Sequence, residues 1–114
     1  EISTRDWSSD VCSSDLYNGS KGAVNLLSKS MAVELGSHGI RVNAICPVIG
    51  ETGMLQQFMG QPDTPENRAK FIATIPLGRF SRPSDVAAVA HFLATDAAEF
   101  ISGVEFPVDG ARTV

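Results

Sequence analysis

Apolar side chains recur at helical spacing in the long segment that follows residue 16. They stand three or four residues apart, which places them on one face of a helix. Those positions are Ala23, Val24, Leu27, Met31 and Leu35. Gly39 can adopt the left-handed conformation in which many helices end. The pattern therefore predicts a helix over residues 17–38.

Two short apolar runs predict strands on either side of a more irregular region. Branched residues dominate residues 40–46, and Pro47 ends the run. Residues 104–108 predict a second strand. A polar side chain in a buried strand needs hydrogen-bond partners, so we expect Asn43 to have a structural role. A helix followed closely by a strand is typical of α/β proteins with parallel strands.

The region between the strands predicts further helices. Leu55, Phe58 and Met59 show helical spacing, residues 60–63 interrupt it, and Thr64-Pro65 can begin a new helix. We predict a lid over residues 55–75. A Met and Phe stripe belongs to a core more often than to a substrate pocket, so no lid residue is assigned a role. Residues 83–94 predict another helix, well buried because most of its residues are apolar.

Residues 1–16 differ from the rest of the chain. Ser-Ser-Asp occurs twice, at 8–10 and 13–15, and no hydrophobic period is sustained. Residues 5–16 resemble the translation, in one reading frame, of a DNA adapter used in short-read sequencing. We therefore interpret 1–16 as a foreign or unstructured segment and 17–114 as the domain. Resequencing the source DNA across these codons tests this, and continuous genomic sequence there would contradict it.

Composition and charge exclude several classes of function. The 114 residues are 43% hydrophobic and carry a formal net charge of -4, which suits one globular unit. Lys and Arg form no cluster, so a nucleic-acid partner is not expected. No apolar run is long enough to span a membrane. Cys12 and Cys46 have no metal-ligand or disulfide spacing, which favours a reducing cytoplasm and predicts no metal site.

Tyr17 and Lys21 carry the candidate chemistry. Residues four apart on a helix share a face, with about 6 Å of rise between them. A phenol exchanges its proton poorly near neutral pH, and a fixed ammonium beside it favours the phenolate. The pair can therefore act as an acid–base unit. By itself the spacing more often reflects a surface lysine one turn above a half-buried tyrosine than an acid–base pair.

Further motifs follow in a fixed order and extend the pattern. They are Tyr-Asn-Gly-Ser-Lys at 17–21, Gly-Ile-Arg-Val-Asn-Ala-Ile-Cys-Pro at 39–47, Gly-Glu-Thr-Gly-Met at 50–54, Pro-Leu-Gly-Arg-Phe at 76–80, Arg-Pro-Ser-Asp-Val at 82–86, Ile-Ser-Gly at 101–103 and Pro-Val-Asp-Gly at 107–110. Their order closely resembles the carboxyl-terminal part of the short-chain dehydrogenase/reductase family, from Tyr17 to Gly110. The resemblance implies the end of a Rossmann-like, doubly wound parallel sheet. It also implies hydride transfer between NAD(P)(H) and a carbonyl or alcohol.

The resemblance also implies roles for residues. Tyr17 would exchange a proton with the substrate oxygen, and Lys21 would assist it and bind the nicotinamide ribose. Pro47 would border the nicotinamide ring. The backbone near Gly50, including Val48 and Ile49, and the Thr52 hydroxyl would hold the carboxamide. Val48 stands where the family usually has glycine, and Gly50 where it has a branched residue.

Other family features are not found in these residues. No Gly-x-x-x-Gly-x-Gly phosphate-binding turn occurs, and the residue that selects NAD or NADP would lie in the same upstream half. The chain is therefore expected to be a carboxyl-terminal fragment, inactive by itself, of an enzyme that forms homodimers or homotetramers through helix 17–38. Ser3 or Thr4 lies near the distance of the family's catalytic serine, which we interpret as coincidence. The alternative is a non-catalytic interaction module with the same fold.

Overall fold

A computed structural model describes residues 9–114, with side chains from residue 15 onward. The elements, in chain order, are helix α1 (Ser9–Gly36), strand β1 (Ala44–Pro47), helices α2 (Leu55–Met59), α3 (Pro65–Ile72) and α4 (Pro83–Ala94), a 3-10 turn (Asp96–Ala98) and strand β2 (Glu105–Val108). The predicted α/β class is confirmed, and each predicted helix and strand has a counterpart.

Within the described part of the chain, β1 and β2 form a two-stranded parallel sheet. Ala44 lies opposite Glu105, and Pro47 lies opposite Val108. Parallel neighbours need a long crossover, and here it contains α2, α3 and α4. Asn43 has the structural role expected of it. Its side chain donates to the Ile101 carbonyl at 3.0 Å and accepts from the Val104 amide at 3.1 Å.

The observed boundaries differ from the predicted ones where local signals are weak. Helix α1 begins at Ser9 rather than at residue 17 and ends at Gly36 rather than at 38. Residues 9–16 contain no glycine or proline, so a helix formed downstream extends through them at little cost. Strand β1 begins at Ala44 rather than at 40. Upstream of it, the Val42 amide donates to the Ser102 hydroxyl, a side-chain bond that replaces regular pairing.

Helix α1 is held to the sheet at a few points and leaves much apolar surface exposed. Lys29 forms an ion pair of 2.8 Å with Glu105 of β2, and Ala32 is buried. By contrast, Leu26 and Val33 are 68% and 85% exposed. The described chain therefore has no surface that covers this side of α1.

The most buried apolar cluster lies mainly in the segment predicted as a lid and includes Phe80, which follows that segment. It comprises Leu55, Met59, Ile75 and Phe80, with Ile49, Phe71 and Ile72 partly buried around it. Helix α4 was expected to be well buried, and that expectation is wrong for the described chain. None of its residues is buried, and Phe92 is 40% exposed. A two-stranded sheet offers too narrow a surface to cover the apolar positions of this helix.

The first turn of helix α4 contains an ion-paired carboxylate, that of Asp85. Asp85 accepts hydrogen bonds from the Arg79 guanidinium at 2.7 and 2.9 Å and from the Arg82 amide at 2.7 Å. The guanidinium first, and the amide second, lower the pKa of Asp85 from 3.8 to about 2. The ionised carboxylate also lies at the positive end of the helix dipole. Asp85 thus fixes the connector, residues 76–82, to the start of α4.

This arrangement predicts a pH-dependent stability. Because the folded pKa lies below the unfolded one, the carboxylate stabilises the fold above about pH 4, and that contribution is lost as the pH falls towards 2. The Asp85→Asn variant should therefore have a lower melting temperature at neutral pH, and the difference should shrink in acid. Circular dichroism melts across this range test it. Glu34→Gln removes an exposed carboxylate from α1 and serves as the control; a difference at Asp85 that is independent of pH would contradict the prediction.

Candidate functional site

Tyr17 and Lys21 lie one turn apart on α1, as their spacing predicts. The Lys21 ammonium is 5.5 Å from the centroid of the Tyr17 ring. The Tyr17 side chain is half exposed, so its hydroxyl is accessible to a ligand. A cation above an aromatic ring is electrostatically favourable, so the two side chains form a pair on one face of α1.

The loop after β1 is fixed by a short parallel bridge between Gly50 and Ser81. The Ser81 amide donates to the Ile49 carbonyl at 3.3 Å, and the Glu51 amide donates to the Ser81 carbonyl at 2.9 Å. A Cβ atom added at Gly50 would lie 3.1 Å from the Ser81 Oγ and 3.3 Å from its carbonyl oxygen. This close approach leaves little room for a side chain at position 50 and accounts for the glycine there.

The same loop presents polar groups to a ligand. Among residues 9–114, the amide N–H groups of Ile49 and Gly50 have no backbone acceptor. The Thr52 hydroxyl oxygen accepts a hydrogen bond from the Met54 amide at 3.3 Å, and its proton remains available. Such donors suit a planar carboxamide, whose oxygen accepts hydrogen bonds. The loop lies at the carboxyl end of β1, the edge at which open α/β sheets bind ligands.

A groove of ≈ 850 Å³ is lined both by the Tyr17–Lys21 pair and by the loop after β1. All seven predicted site residues line it: Tyr17, Lys21, Pro47, Val48, Ile49, Gly50 and Thr52. Its size lies within the range of small-molecule pockets, about 300–1,000 Å³. The residues present thus fit a nicotinamide ring with its carboxamide next to the loop.

The groove contains residues to which the sequence analysis gave no role in the site. Asn25 stands one turn beyond Lys21 and lines the groove, with its amide nitrogen 4.0 Å from the Cys46 sulfur. The repeated four-residue step from Tyr17 through Lys21 was a signal that could have identified it. Phe58 of α2 and Ser81 of the connector also line the groove. No local sequence pattern identifies Ser81 as a groove residue, because its position there depends on the bridge to Gly50.

Asp109 forms a fixed part of the groove wall. It accepts hydrogen bonds from the Thr113 hydroxyl, from the Ala111 amide at 3.0 Å and from the Thr113 amide at 3.1 Å. The Thr113 hydroxyl is the main cause that lowers the pKa of Asp109. These bonds hold the turn after β2, in which Ala111 adopts a left-handed φ of 70°. The carboxylate therefore has a structural role.

An ion-pair cluster joins the lid segment to the loop. The Arg68 guanidinium of α3 binds Asp63 on one side and lies 3.9 Å from the Glu51 carboxylate on the other. Glu51 stands between Gly50 and Thr52, so this arginine connects the lid segment with the loop that would hold the carboxamide. The side chains remain partly exposed, and solvent weakens such pairs.

Three further points concern the limits of the site. Ser3 and Thr4, considered as catalytic hydroxyls, lie outside the described residues. From residue 9 onward, no group of histidine, cysteine, aspartate or glutamate side chains could hold a metal ion. Over the same residues, none of the helices is both long and apolar enough to cross a membrane.

Comparisons with known proteins identify the family to which the chain belongs. The family model for enoyl-(acyl carrier protein) reductase matches residues 8–112. The 4-formylbenzenesulfonate dehydrogenase of Comamonas testosteroni is 52% identical over 98 residues, which are 86% of this chain and 39% of that protein. The 2-(S)-hydroxypropyl-CoM dehydrogenase 3 of Xanthobacter autotrophicus is 43% identical over 85% of this chain and 38% of that protein. The chain thus spans about two fifths of these relatives.

Solved structures give the same result. A 3-ketoacyl-(acyl-carrier-protein) reductase from Brucella melitensis, complexed with NADH, superposes with a TM-score of 0.76 and 42% identity. The match covers 86% of this chain and 37% of that one. A short chain dehydrogenase family protein from Francisella tularensis superposes with a TM-score of 0.77 at 31% identity, over 85% of this chain and 43% of the other.

Proposed function

Because the chain belongs to the short-chain dehydrogenase/reductase family, we propose that it is the carboxyl-terminal part of an NAD(P)-dependent oxidoreductase. The parent enzyme interconverts a carbonyl compound and an alcohol in the cytoplasm. The observation that carries this proposal is the groove, because it unites the Tyr17–Lys21 pair with the polar loop after β1. The name of one relative, 2-(S)-hydroxypropyl-CoM dehydrogenase 3, describes the oxidation of a hydroxyl compound and fits this class of reaction.

The chain's own residues supply proton transfer and orientation. When bound, the nicotinamide supplies hydride chemistry, which belongs to the cofactor. Pro47 would border the ring. The amides of Ile49 and Gly50 and the Thr52 hydroxyl would hold the carboxamide, and the Val48 backbone would complete this wall. In reduction, the Tyr17 hydroxyl gives its proton to the substrate oxygen, and the Lys21 ammonium stabilises the phenolate that remains. In oxidation, the phenolate takes the alcohol proton. Lys21 also binds the ribose.

The proposal leaves NAD and NADP as alternative cofactors. The similar structures include one complexed with NADH and one of an NADPH-dependent reductase. In this fold the selecting residue follows the phosphate-binding turn, and that motif does not occur in the 114 residues. The substrate partner is a small carbonyl or alcohol, with no role for nucleic acid or membrane.

An activity screen of the parent enzyme tests the proposed function. The full gene is expressed, and oxidation of NADH and NADPH is followed with aldehydes and ketones that differ in size and ring content. We expect turnover with at least one carbonyl compound and one of the two cofactors, and the reverse reaction with its alcohol. A folded parent that consumes neither cofactor with any of them would contradict the proposal.

The exposed face of α1 predicts the oligomeric state of the parent. Leu26 and Val33 leave an apolar surface that a second copy can cover, so we expect a homodimer or homotetramer. Light scattering of the parent gives the mass directly. Val33→Glu should shift the population towards monomer, whereas Glu34→Gln, next to it on the chain, should not. A parent that is only monomeric would overturn this prediction.

A further inference from the structure

Helix α2 leaves its aromatic residue out of the core. Leu55 and Met59 are 3% and 5% exposed and belong to the buried cluster, whereas Phe58 between them is 49% exposed. Residues 55 and 59 lie one turn apart on the inner face, and residue 58 points away from the centre of that face. Phe58 therefore contributes little to the stability of this cluster.

The exposed face of Phe58 lines the groove that contains Tyr17 and Thr52. Other apolar side chains of the groove are Ile45, Val48, Ile49 and Val86. The charged Asp109 is engaged by Thr113 and the neighbouring amides. A flat aromatic surface in the same groove as the Tyr17 hydroxyl can bind the substituent of a carbonyl group whose oxygen faces Tyr17.

We propose that Phe58 forms the wall of a substrate subsite that binds a ring, so that the preferred substrates are ring-bearing aldehydes or ketones and their alcohols. This rests on the proposed function, since it names the substrate class of the same site. Aromatic rings pack on a phenylalanine in offset or edge-to-face geometry, and saturated rings gain apolar contact area. Small acyclic substituents gain much less contact. Phe58 thus acts on specificity and takes no part in proton transfer.

The test compares ring-bearing with small acyclic substrates in the parent enzyme. kcat/KM is measured for benzaldehyde and cyclohexanone, and for acetaldehyde and acetone. Phe58→Ala should lower the preference for the ring-bearing pair by about 10- to 100-fold, mainly through KM, as expected for loss of a hydrophobic contact. Phe58→Leu should give a smaller loss. Phe92→Ala is the matched control, because Phe92 is 40% exposed but does not line the groove.

A binding measurement separates this role from effects on turnover. In a Tyr17→Phe background with cofactor present, benzaldehyde binding is titrated with and without Phe58→Ala. We expect weaker binding with Phe58→Ala, by a factor similar to the change in KM. Equal losses for both substrate classes, or an unchanged preference, would overturn the proposal for Phe58. A wild-type enzyme that prefers the acyclic pair would overturn the substrate class and leave the proposed function standing, whereas no turnover of any carbonyl compound contradicts the proposed function itself.

Discussion

Replacing Tyr17 by phenylalanine in the parent enzyme is expected to lower kcat by about 10²–10⁴-fold, the usual contribution of a positioned general acid or base. The variant removes one oxygen atom and keeps the ring over which the Lys21 ammonium lies. Because the groove keeps its shape, cofactor affinity should remain close to that of the wild type. Steady-state kinetics and cofactor titration measure the two quantities separately.

A matched control removes another hydroxyl from the same helix. The Ser28 hydroxyl donates to the Val24 carbonyl at 2.8 Å, and Ser28 does not line the groove. Ser28→Ala should therefore retain wild-type turnover. Undiminished activity in Tyr17→Phe, or activity lost together with cofactor binding, would show that the phenol does not transfer the proton.

Substitution of Lys21 should produce a different pattern. Lys21→Arg keeps the positive charge but replaces a compact ammonium with a wide planar guanidinium, so it cannot reproduce the same contacts. We expect kcat to fall and cofactor binding to weaken together, because Lys21 is proposed to act on both Tyr17 and the ribose. The contrast with Tyr17→Phe tests the assignment of the two roles.

The 114-residue chain alone is expected to show no saturable binding of NADH or NADPH. In this fold, much of the cofactor affinity comes from the pyrophosphate at a helix N-terminus and from ribose contacts after the first strand. The glycine-rich turn that makes the first of these does not occur in the sequence. The groove is proposed to form only one wall of the nicotinamide pocket. The chain should also self-associate, since α1 and the free edge of β1 are exposed.

Calorimetric titration of the purified chain with each nucleotide provides the measurement. The full-length parent, titrated under the same conditions, is the positive control and should give a stoichiometric isotherm with one of them. A submillimolar, stoichiometric isotherm with the 114-residue chain would contradict the prediction. Light scattering on the same sample reports the expected self-association.

Local chemistry made much of the fold predictable. The helix predicted over 83–94 is observed as Pro83–Ala94, because proline fixes its first turn and the apolar positions repeat at helical spacing. The family resemblance, based on the order of motifs, is confirmed by the family model over residues 8–112. The seven predicted site residues do line one groove. Their roles remain predictions, because the groove brings them together without identifying the ligand.

Features that depend on contacts between distant segments could not be predicted. The burial of each helix is one such feature. Helix α4 has the composition of a core helix, yet none of its residues is buried, because two strands cannot cover it. The buried cluster instead lies mainly in the lid segment. The Gly50–Ser81 bridge is another, since neither residue indicates its partner in sequence. Phe58 shares its helical spacing with Leu55 and Met59, and only packing shows that it lies outside the core.

The parallel pairing of β1 with β2 has a consequence for the order in which the chain is made. Ala44 pairs with Glu105, some sixty positions later in the chain. The two strands therefore cannot pair until Glu105 has left the ribosome. The residues of the cluster, Leu55, Met59, Ile75 and Phe80, are all synthesised earlier. The loops that their contacts close are shorter than the loop between the two strands. During synthesis, the buried cluster of the lid segment can therefore pack before β2 is made. At that stage β1 has no strand partner, and α1 lacks its contact with β2.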